Sequence, residues 1–308
     1  MKVLVLGASG TIPSHPPLTP GFVGSAVASA FTRAGHIVYG QTRSHATGDS
    51  MAAQEIFPVV CDPFSDPETW AKIVRNVDEA QLVVHAFLKA VKHRGSCPVL
   101  PTYVYCSGHY VMAAGLEWTD ERQPALAPCN KGSAWRRDIE DEVLTSSLVN
   151  GVVIRPVCLY GKGGSYFGAY HFRPALEALK KGKKRFQSIV GESSKIATVH
   201  CDDAAELFVA VAERGPVCRG QVFVASNPST DNVRDILDGV VRITGLEGWD
   251  ARKPRDADGE RAWVTPVLQK ASLGHAVTGW APRRIGVSDG IEVYWPKRDQ
   301  VEPEWVVL

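Results

Sequence analysis

Short apolar runs alternate with segments of helical periodicity along the first half of the chain. Residues 2–6 form the first run, and apolar positions at Val23, Val27 and Phe31 follow with the spacing of one helix face. Further apolar runs, typical of buried parallel strands, occur at residues 37–40, 59–60, 81–86, 103–107 and 152–156. Intervening helices are expected at residues 67–77 and 133–146. This alternation predicts an α/β fold with a doubly wound parallel sheet.

After Tyr160 the alternation becomes less regular. The pattern predicts helices at residues 172–181 and 202–213 and one more strand at residues 222–225. The C-terminal part of the chain is rich in proline, glycine and tryptophan. We therefore expect a small C-terminal α/β lobe beside the parallel sheet.

A glycine-rich motif follows the first predicted strand, but it is interrupted. Gly7 and Gly10 come directly after the strand, and Phe22, Val23 and Gly24 follow an insertion at residues 11–21. Without the insertion the chain reads G-A-S-G-F-V-G, in which glycines let backbone N–H groups approach a pyrophosphate at a helix N-terminus. The insertion carries four prolines and is expected to form a stiff loop at this turn. The motif predicts a dinucleotide site with an altered phosphate turn.

Composition and charge narrow the kinds of partner to consider. The 308 residues are 44% hydrophobic and 22% charged, as in ordinary globular proteins. A net charge of +1 gives no reason to expect nucleic acid or an anionic membrane as a partner. The seven cysteines include no C-x-x-C pair, and His200 has no second ligand at metal spacing, so no metal site is expected. We expect a cytoplasmic protein, monomeric or homodimeric, that acts on a small molecule.

Seven segments, in the same order along the chain, resemble the extended short-chain dehydrogenase/reductase family. This family contains sugar-nucleotide epimerases, dihydroflavonol-type reductases and atypical relatives. The segments are G-A-S-G…F-V-G at residues 7–24, Asp62, V-V-H-A at 83–86, V-Y-C-S-G at 104–108, R-P-V-C-L-Y-G at 155–161, T-V-H-C-D-D-A-A-E-L at 198–207, and G-W-A-P with D-G-I at 279–282 and 289–291. The resemblance implies a Rossmann NAD(P)-binding domain at residues 1–160, with parts of 190–230 threaded back, and a substrate-binding lobe at 161–308.

The resemblance also implies a set of cofactor-binding residues. Arg43 stands where the family often places a base for the 2′-phosphate of NADP, so NADP is expected rather than NAD; the alternative is an ordinary surface arginine. Asp62 is expected either to contact the adenine or to cap a helix. The full set is Gly7, Ser9, Gly10, Phe22, Val23, Gly24, Arg43, Asp62, His85, Ala86, Phe87, Arg136, Pro156 and Leu159.

The family's usual proton donor is missing from this chain. Its members carry a Y-x-x-x-K pair on a helix, where the ammonium lowers the pKa of the phenol, and a serine on a neighbouring strand end. Ser107 fits the serine, and the family's spacing places Gly132 at the tyrosine and Arg136 at the lysine, with the expected Glu140 after them. Arg136 is suited to holding a ribose or a phosphate but is a poor general acid.

Replacement proton donors are sought among nearby residues. Lys131 adjoins the position of the missing tyrosine, His109 and Tyr110 come just after Ser107, and Tyr160 and Tyr166 follow the sixth strand. These five residues are the candidates. The segment before Ser107 is also shorter than in relatives of the family. The insertion, the short segment and the lost tyrosine all fall around the predicted cofactor site.

Three functions remain open at this point. The first is an NADP(H)-dependent oxidoreductase acting on a small carbonyl or alcohol, in which Ser107 polarises the substrate oxygen and Arg136 holds the ribose. The second is a non-redox isomerase, cyclase or lyase that uses the same pocket. The third is a protein that binds NADP(H) as a sensor without turnover. The family resemblance implies that the run V-H-C-D-D at residues 199–203, which includes the pair Asp202 and Asp203, caps a helix and ties the C-terminal lobe to the core.

Overall fold

The structure is a computed structural model, and it describes most of the chain. The described residues are 1–8, 22–63, 66, 69, 79–81, 84–92, 99–123, 133–162, 165, 167–191, 193–255 and 259–295, with the backbone alone at 79–81, 84–86 and 259. The insertion, most of the predicted helix at 67–77, and four predicted site residues lie outside this part. Those four are Ser9, Gly10, Lys131 and Tyr166.

Seven parallel strands form the main sheet of the described chain, in the order β11–β7–β5–β4–β1–β2–β3. Strand β11 pairs in parallel with β7, at one edge of this sheet. The strands are β1 (Lys2–Val5), β2 (Ile37–Thr42), β3 (Phe57–Val60), β4 (Glu79–Gln81), β5 (Thr102–Cys106), β6 (Gly115–Thr119), β7 (Asn150–Pro156), β8 (Cys158–Tyr160), β9 (Arg185–Ile189), β10 (Lys195–His200), β11 (Val222–Ala225), β12 (Thr230–Asn232), β13 (Gly248–Arg252) and β14 (Val267–Gln269). The predicted α/β class with a parallel sheet is confirmed.

Helices cover both faces of the main sheet. The helices are α1 (Phe22–Arg33), α2 (His45–Ala52), α3 (Val84–Lys92), α4 (Trp135–Thr145), α5 (Arg173–Lys180), α6 (Cys201–Ala212), α7 (Gly215–Cys218), α8 (Val233–Thr244), α9 (Gly259–Val264), α10 (Ser272–Thr278) and α11 (Ile291–Tyr294). Side chains alternate between the two faces along β1: Val3 and Val5 pack with α1 and α6, whereas Leu4 packs with α3 and α4. No helix in the described part of the chain is long and apolar enough to cross a membrane.

The prediction of a strand over residues 81–86 is wrong. Strand β4 ends at Gln81, and α3 begins at Val84. A short apolar run cannot be distinguished from a buried helix segment by periodicity alone, and here the run spans the junction between the two elements.

Three smaller sheets lie beyond the carboxyl ends of the main strands. Strands β12, β10 and β8 form one, and the parallel pairs β13–β9 and β14–β6 form the others. Because β8 follows β7 after a single residue, the C-terminal part packs directly against the edge where the main strands end. Its apolar cluster includes Phe167, Ile189, Ile236 and Trp263. Ligands of open α/β sheets bind at this carboxyl edge, so the candidate site is expected there.

Candidate active site

The turn after β1 brings two glycines into close contact. Gly7 has a φ of +73°, a conformation that favours glycine. Gly24 lies in the first turn of α1, where a Cβ atom would come 2.3 Å from the carbonyl oxygen of Gly7. Phe22 and Val23 in the same turn are half-buried against the core. The N-terminus of α1 is therefore seated directly on the end of β1, as an anion-binding turn requires.

Gln41 fixes the ends of three neighbouring strands, and the sequence analysis did not single it out. The backbone N–H of Gly7 donates to Gln41 Oε1 at 3.0 Å, and Gln41 Nε2 donates to the carbonyl oxygen of Cys61 at 2.6 Å. Its side chain is buried at the end of β2. A polar residue in a strand that otherwise reads as buried was the available signal.

Arg43 and Asp62 follow adjacent strands of the sheet. Arg43 is exposed directly after β2, and Asp62 is half-buried shortly after β3. The two strand ends are joined by the backbone N–H of Cys61, which donates to the carbonyl oxygen of Thr42 at 2.9 Å. The structure thus brings this predicted cation and carboxylate to one region of the carboxyl edge.

His85, Ala86 and Phe87 lie in α3 and not at a strand end, which corrects their predicted placement. The Phe87 side chain is buried and stacks on Tyr103 of β5, with ring centroids 4.7 Å apart. Phe87 therefore packs in the core between α3 and the sheet.

Ser107 directly follows β5, and its hydroxyl is left without a hydrogen-bond partner among the described residues. Its backbone N–H donates to the carbonyl oxygen of Ile154 at 2.8 Å, which fixes the residue against β7. The side chain is only 8% exposed. A buried hydroxyl without a partner is costly, so its presence at this edge indicates a place for a ligand or a water molecule.

Arg136 lies in the first turn of α4 and points its guanidinium at β5. Its Nη1 donates to the hydroxyl of Tyr105 at 3.4 Å, and the guanidinium carbon lies 4.6 Å from the ring centroid of Trp135. Burial raises the pKa of Tyr105, although Arg136 opposes the shift. One turn later, Glu140 forms a buried bidentate ion pair with Arg155 of β7. This pair fixes the register of α4 and therefore the position of Arg136.

His109 is buried beside the junction of β7 and β8. Its Nδ1 lies 3.3 Å from the carbonyl oxygen of Pro156, and its Nε2 lies 3.6 Å from Cys158 Sγ. Burial lowers the pKa of His109 to about 4, so the imidazole is neutral at neutral pH. That state argues against the predicted use of His109 as an acid.

Leu159, two residues beyond Val157, is half-buried against the core.

Tyr160 has a structural role, because its hydroxyl is hydrogen-bonded within the protein. Its hydroxyl donates to the carbonyl oxygen of Ile285 at 2.7 Å and accepts from Asn227 Nδ2 at 3.3 Å. Burial raises its pKa strongly. Gly161 after it has a φ of +97°, and a Cβ there would come 2.2 Å from His200 Nε2.

In the run at residues 199–203, His200 caps α6 and Asp203 joins the helix to a distant part of the chain. Asp203 Oδ2 accepts from the backbone N–H groups of Arg283 and Arg284, and His200 Nδ1 accepts from that of Asp202. The donor atoms of His200, Cys201 and Asp202 lie within 4.8 Å of one another. However, Lys162 and Arg284 both form ion pairs with Asp202, and a cation would have to compete with these charges.

Solved structures of about the same length share this fold. The UDP-glucuronic acid 4-epimerase of Bacillus cereus is 16% identical, with a TM-score of 0.73 over 97% of this chain and 98% of that one. The dTDP-glucose 4,6-dehydratase of Bacillus anthracis str. Ames is 14% identical, with a TM-score of 0.75 over 98% of both chains. MoeE5, solved with UDP-glucose and NAD, is 15% identical, with a TM-score of 0.66 over 96% of this chain and 97% of that one.

No family model and no curated protein matches the sequence. At these identities the likeness concerns the fold, which is the Rossmann fold of the extended short-chain dehydrogenase/reductases of the epimerase/dehydratase type. The resemblance expected from the seven sequence segments is confirmed at that level.

Proposed function

We propose that the protein is an NADP(H)-dependent oxidoreductase of the atypical extended short-chain type that acts on a small carbonyl or alcohol. The observation that carries this proposal is the contact between Gly24 and Gly7. A Cβ at Gly24 would collide with the carbonyl oxygen of Gly7. The absence of a side chain at this position therefore lets α1 lie directly against the end of β1. The close approach of Gly24 to Gly7, which flank the insertion, supports a retained pyrophosphate site at this turn.

The other residues at the carboxyl edge fit a nicotinamide dinucleotide. Ser107 offers a buried hydroxyl that lacks a partner among the described residues, and it would hold the substrate oxygen. Arg136 would hold the ribose from the first turn of α4, where the Glu140–Arg155 pair keeps the helix in register. When bound, the nicotinamide supplies or accepts a hydride. The protein's part is to orient the substrate, exclude water and move a proton at the substrate oxygen.

The preference for NADP rests on Arg43. It is exposed at the end of β2, and residues 41–44 contain no acid that would bind the ribose hydroxyls of NAD. The solved neighbours named above include structures in complex with NAD. This supports a nicotinamide dinucleotide, but it favours NAD, which lacks the 2′-phosphate, over NADP. Both cofactors therefore have to be compared directly.

Fluorescence titration with NADPH and NADH tests the proposal. We expect micromolar binding with a preference for NADPH. Arg43→Glu should weaken NADPH binding about tenfold or more, because charge-assisted hydrogen bonds to the 2′-phosphate are lost, and should leave NADH binding nearly unchanged. Arg33→Glu, the same charge change at the far end of α1, is the matched control. Binding of neither nucleotide would overturn the proposal, and a screen of small carbonyls with NADPH follows if binding is found.

A net non-redox reaction is the second candidate function. Two of the solved neighbours are named as a 4-epimerase and a 4,6-dehydratase. If this protein behaves in the same way, bound nucleotide should be present without net consumption of NADPH. Chromatography of products formed from UDP-sugars and dTDP-sugars, with the absorbance of the cofactor followed in parallel, distinguishes the two reactions.

A further inference from the structure

His109 and Tyr110, which follow Ser107 in the chain, form a small polar cluster with Cys158 of β8. The hydroxyl of Tyr110 lies 3.7 Å from Cys158 Sγ, and the same sulfur lies 3.6 Å from His109 Nε2. His109 and Tyr110 also pack ring against ring, with centroids 4.0 Å apart. The cluster joins the turn after β5 to the start of β8, at the carboxyl edge of the sheet.

The position of the protons follows from the acceptors. The carbonyl oxygen of Pro156 can only accept, so His109 Nδ1 carries the hydrogen and donates to it. The neutral ring then presents a lone pair at Nε2, toward which the Cys158 thiol donates. The sulfur in turn lies within reach of the Tyr110 hydroxyl, and either atom of that pair is able to donate. The single thiol proton thus has two acceptors, His109 and Tyr110.

Among the described tyrosines that the sequence offered as donors, Tyr110 is the one we place nearest to a substrate. Tyr105 is only 2% exposed and Tyr160 donates to a backbone carbonyl, so both are committed to the fold. Tyr110 is half-buried, three residues after Ser107, and it packs against the apolar cluster of the C-terminal part and against the small cluster of Val111, Met112 and Val267. It therefore lies where the sheet and the C-terminal part of the chain meet.

We propose that Tyr110 donates the proton to the substrate oxygen in place of the missing helical tyrosine, and that Cys158 and His109 position its hydroxyl. This inference rests on the proposed oxidoreductase function. Tyr110 is the catalytic residue in this assignment, and Cys158 and His109 are positioning residues.

In carbonyl reduction a bound reduced nicotinamide would supply a hydride to the carbonyl carbon, and the π pair of the C=O bond would move onto oxygen. That oxygen takes the hydroxyl proton of Tyr110, which leaves a phenolate. The Cys158 thiol turns from His109 to donate a hydrogen bond to the phenolate, and the phenolate regains a proton from water. Ser107 holds the substrate oxygen during the transfer.

The hydrogen bonds of the cluster are tested without cofactor by infrared spectroscopy of the S–H stretch. Loss of a band in Cys158→Ser assigns it to Cys158. His109→Phe keeps an aromatic ring but removes the imidazole acceptor, and it should move the band to a higher frequency, as expected for a thiol that donates to the weaker acceptor Tyr110. Tyr110→Phe should shift the band less. If the band stays at the wild-type frequency in both His109→Phe and Tyr110→Phe, the assignment is overturned. This outcome does not depend on whether the protein binds NADPH.

The catalytic role is tested with the carbonyl that the wild-type protein reduces fastest in the screen. Tyr110→Phe should lower kcat by about 10²–10⁴-fold and leave the Kd for NADPH unchanged. Cys158→Ala should lower kcat about tenfold and change the solvent isotope effect, whereas Cys158→Ser, which keeps a donor, should recover most of the rate. Tyr39→Phe, a half-buried tyrosine of β2, is the control. Full activity of Tyr110→Phe would overturn the proposal, whereas absence of NADPH binding would instead overturn the proposed function.

Discussion

At the scale of single residues, the contact between Gly24 and Gly7 determines how closely α1 approaches β1. Because Gly24 has no Cβ, the carbonyl oxygen of Gly7 fits beside it. This oxygen belongs to the backbone, so it cannot move aside as the end of a flexible side chain could. A methyl group there has to push α1 away from the strand end. The same displacement would widen the turn that we propose for the pyrophosphate.

We therefore expect Gly24→Ala to lower both stability and nucleotide affinity. Overpacking at a rigid contact costs about 1–3 kcal/mol, more than the gain in helix propensity that alanine brings. Urea unfolding and NADPH titration measure the two effects. Gly115→Ala is the matched control, because the nearest atom to a Cβ at that position is 3.9 Å away. Equal stability of the two variants would show that α1 adjusts without cost.

From the sequence it was easier to predict which residues lie at this site than to predict what each of them does there. Ser107 and Arg136 were identified by their spacing, and both lie at the carboxyl edge of the sheet. Gln41 and Cys158 were not predicted as site residues, because a hydrogen bond between distant strands leaves no periodic trace in a single sequence. His109 was identified, but its burial, and therefore its neutral state, depends on contacts with β7 and β8 that only the fold supplies.

At the scale of elements, a π-helical turn at Gly168–Phe172 carries a buried histidine that ties three elements together. Trp263 Nε1 of α9 donates to His171 Nε2 at 3.0 Å, so His171 Nδ1 donates to Ser188 Oγ of β9 at 2.7 Å. The Ser188 hydroxyl donates in turn to the carbonyl oxygen of Tyr170 at 3.0 Å. His171 is fully buried, and this burial lowers its pKa to about 3.

This network predicts that the folded protein loses stability as the pH falls. Because the pKa of His171 is about 3 when folded and 6.5 in its ordinary state, the unfolded chain binds the extra proton as pH falls below 6.5. Stability contributed by the neutral His171 is therefore lost on acidification, by about 2 kcal/mol between pH 7 and pH 5. Urea unfolding of wild type and His171→Gln at both pH values should show the wild type losing that much more. His45→Gln, at an exposed position in α2, is the control. Parallel losses in wild type and His171→Gln would contradict the assignment.

At the scale of the whole molecule, the alternation of apolar runs and helical segments predicted the parallel sheet because the runs that form β1, β5 and β7 are buried on both faces. The strand at residues 222–225 agrees with β11 in both bounds. The short strands β6, β9, β13 and β14 were not predicted. Each is at most five residues long and pairs with a distant partner, so its strand character comes from tertiary contacts and not from local pattern.

Two carboxylates at buried or half-buried positions join distant parts of the chain. Glu121 accepts hydrogen bonds from Val224 of the edge strand β11 and from the first two residues of α10. Asp203 at the start of α6 accepts from the backbone of Arg283 and Arg284, far along the sequence. These contacts hold the C-terminal part of the chain over the carboxyl edge of the sheet, where the proposed site lies.

Asp203→Ala should loosen this attachment before it affects the sheet. Asp203 is fully buried, and its removal leaves two backbone N–H groups without their acceptor, at a cost of about 1–3 kcal/mol for each group that stays buried. Hydrogen exchange should accelerate at the amides of Arg283 and Arg284, while amides of β1 and β5 keep their relative protection. Asp203→Asn keeps an acceptor oxygen and should fall between wild type and Asp203→Ala. Asp250→Ala, which removes an exposed ion pair with Arg185, should lower stability far less than Asp203→Ala does. Uniform acceleration across the sheet in Asp203→Ala would mean that this carboxylate supports the fold as a whole and not the attachment of the C-terminal part.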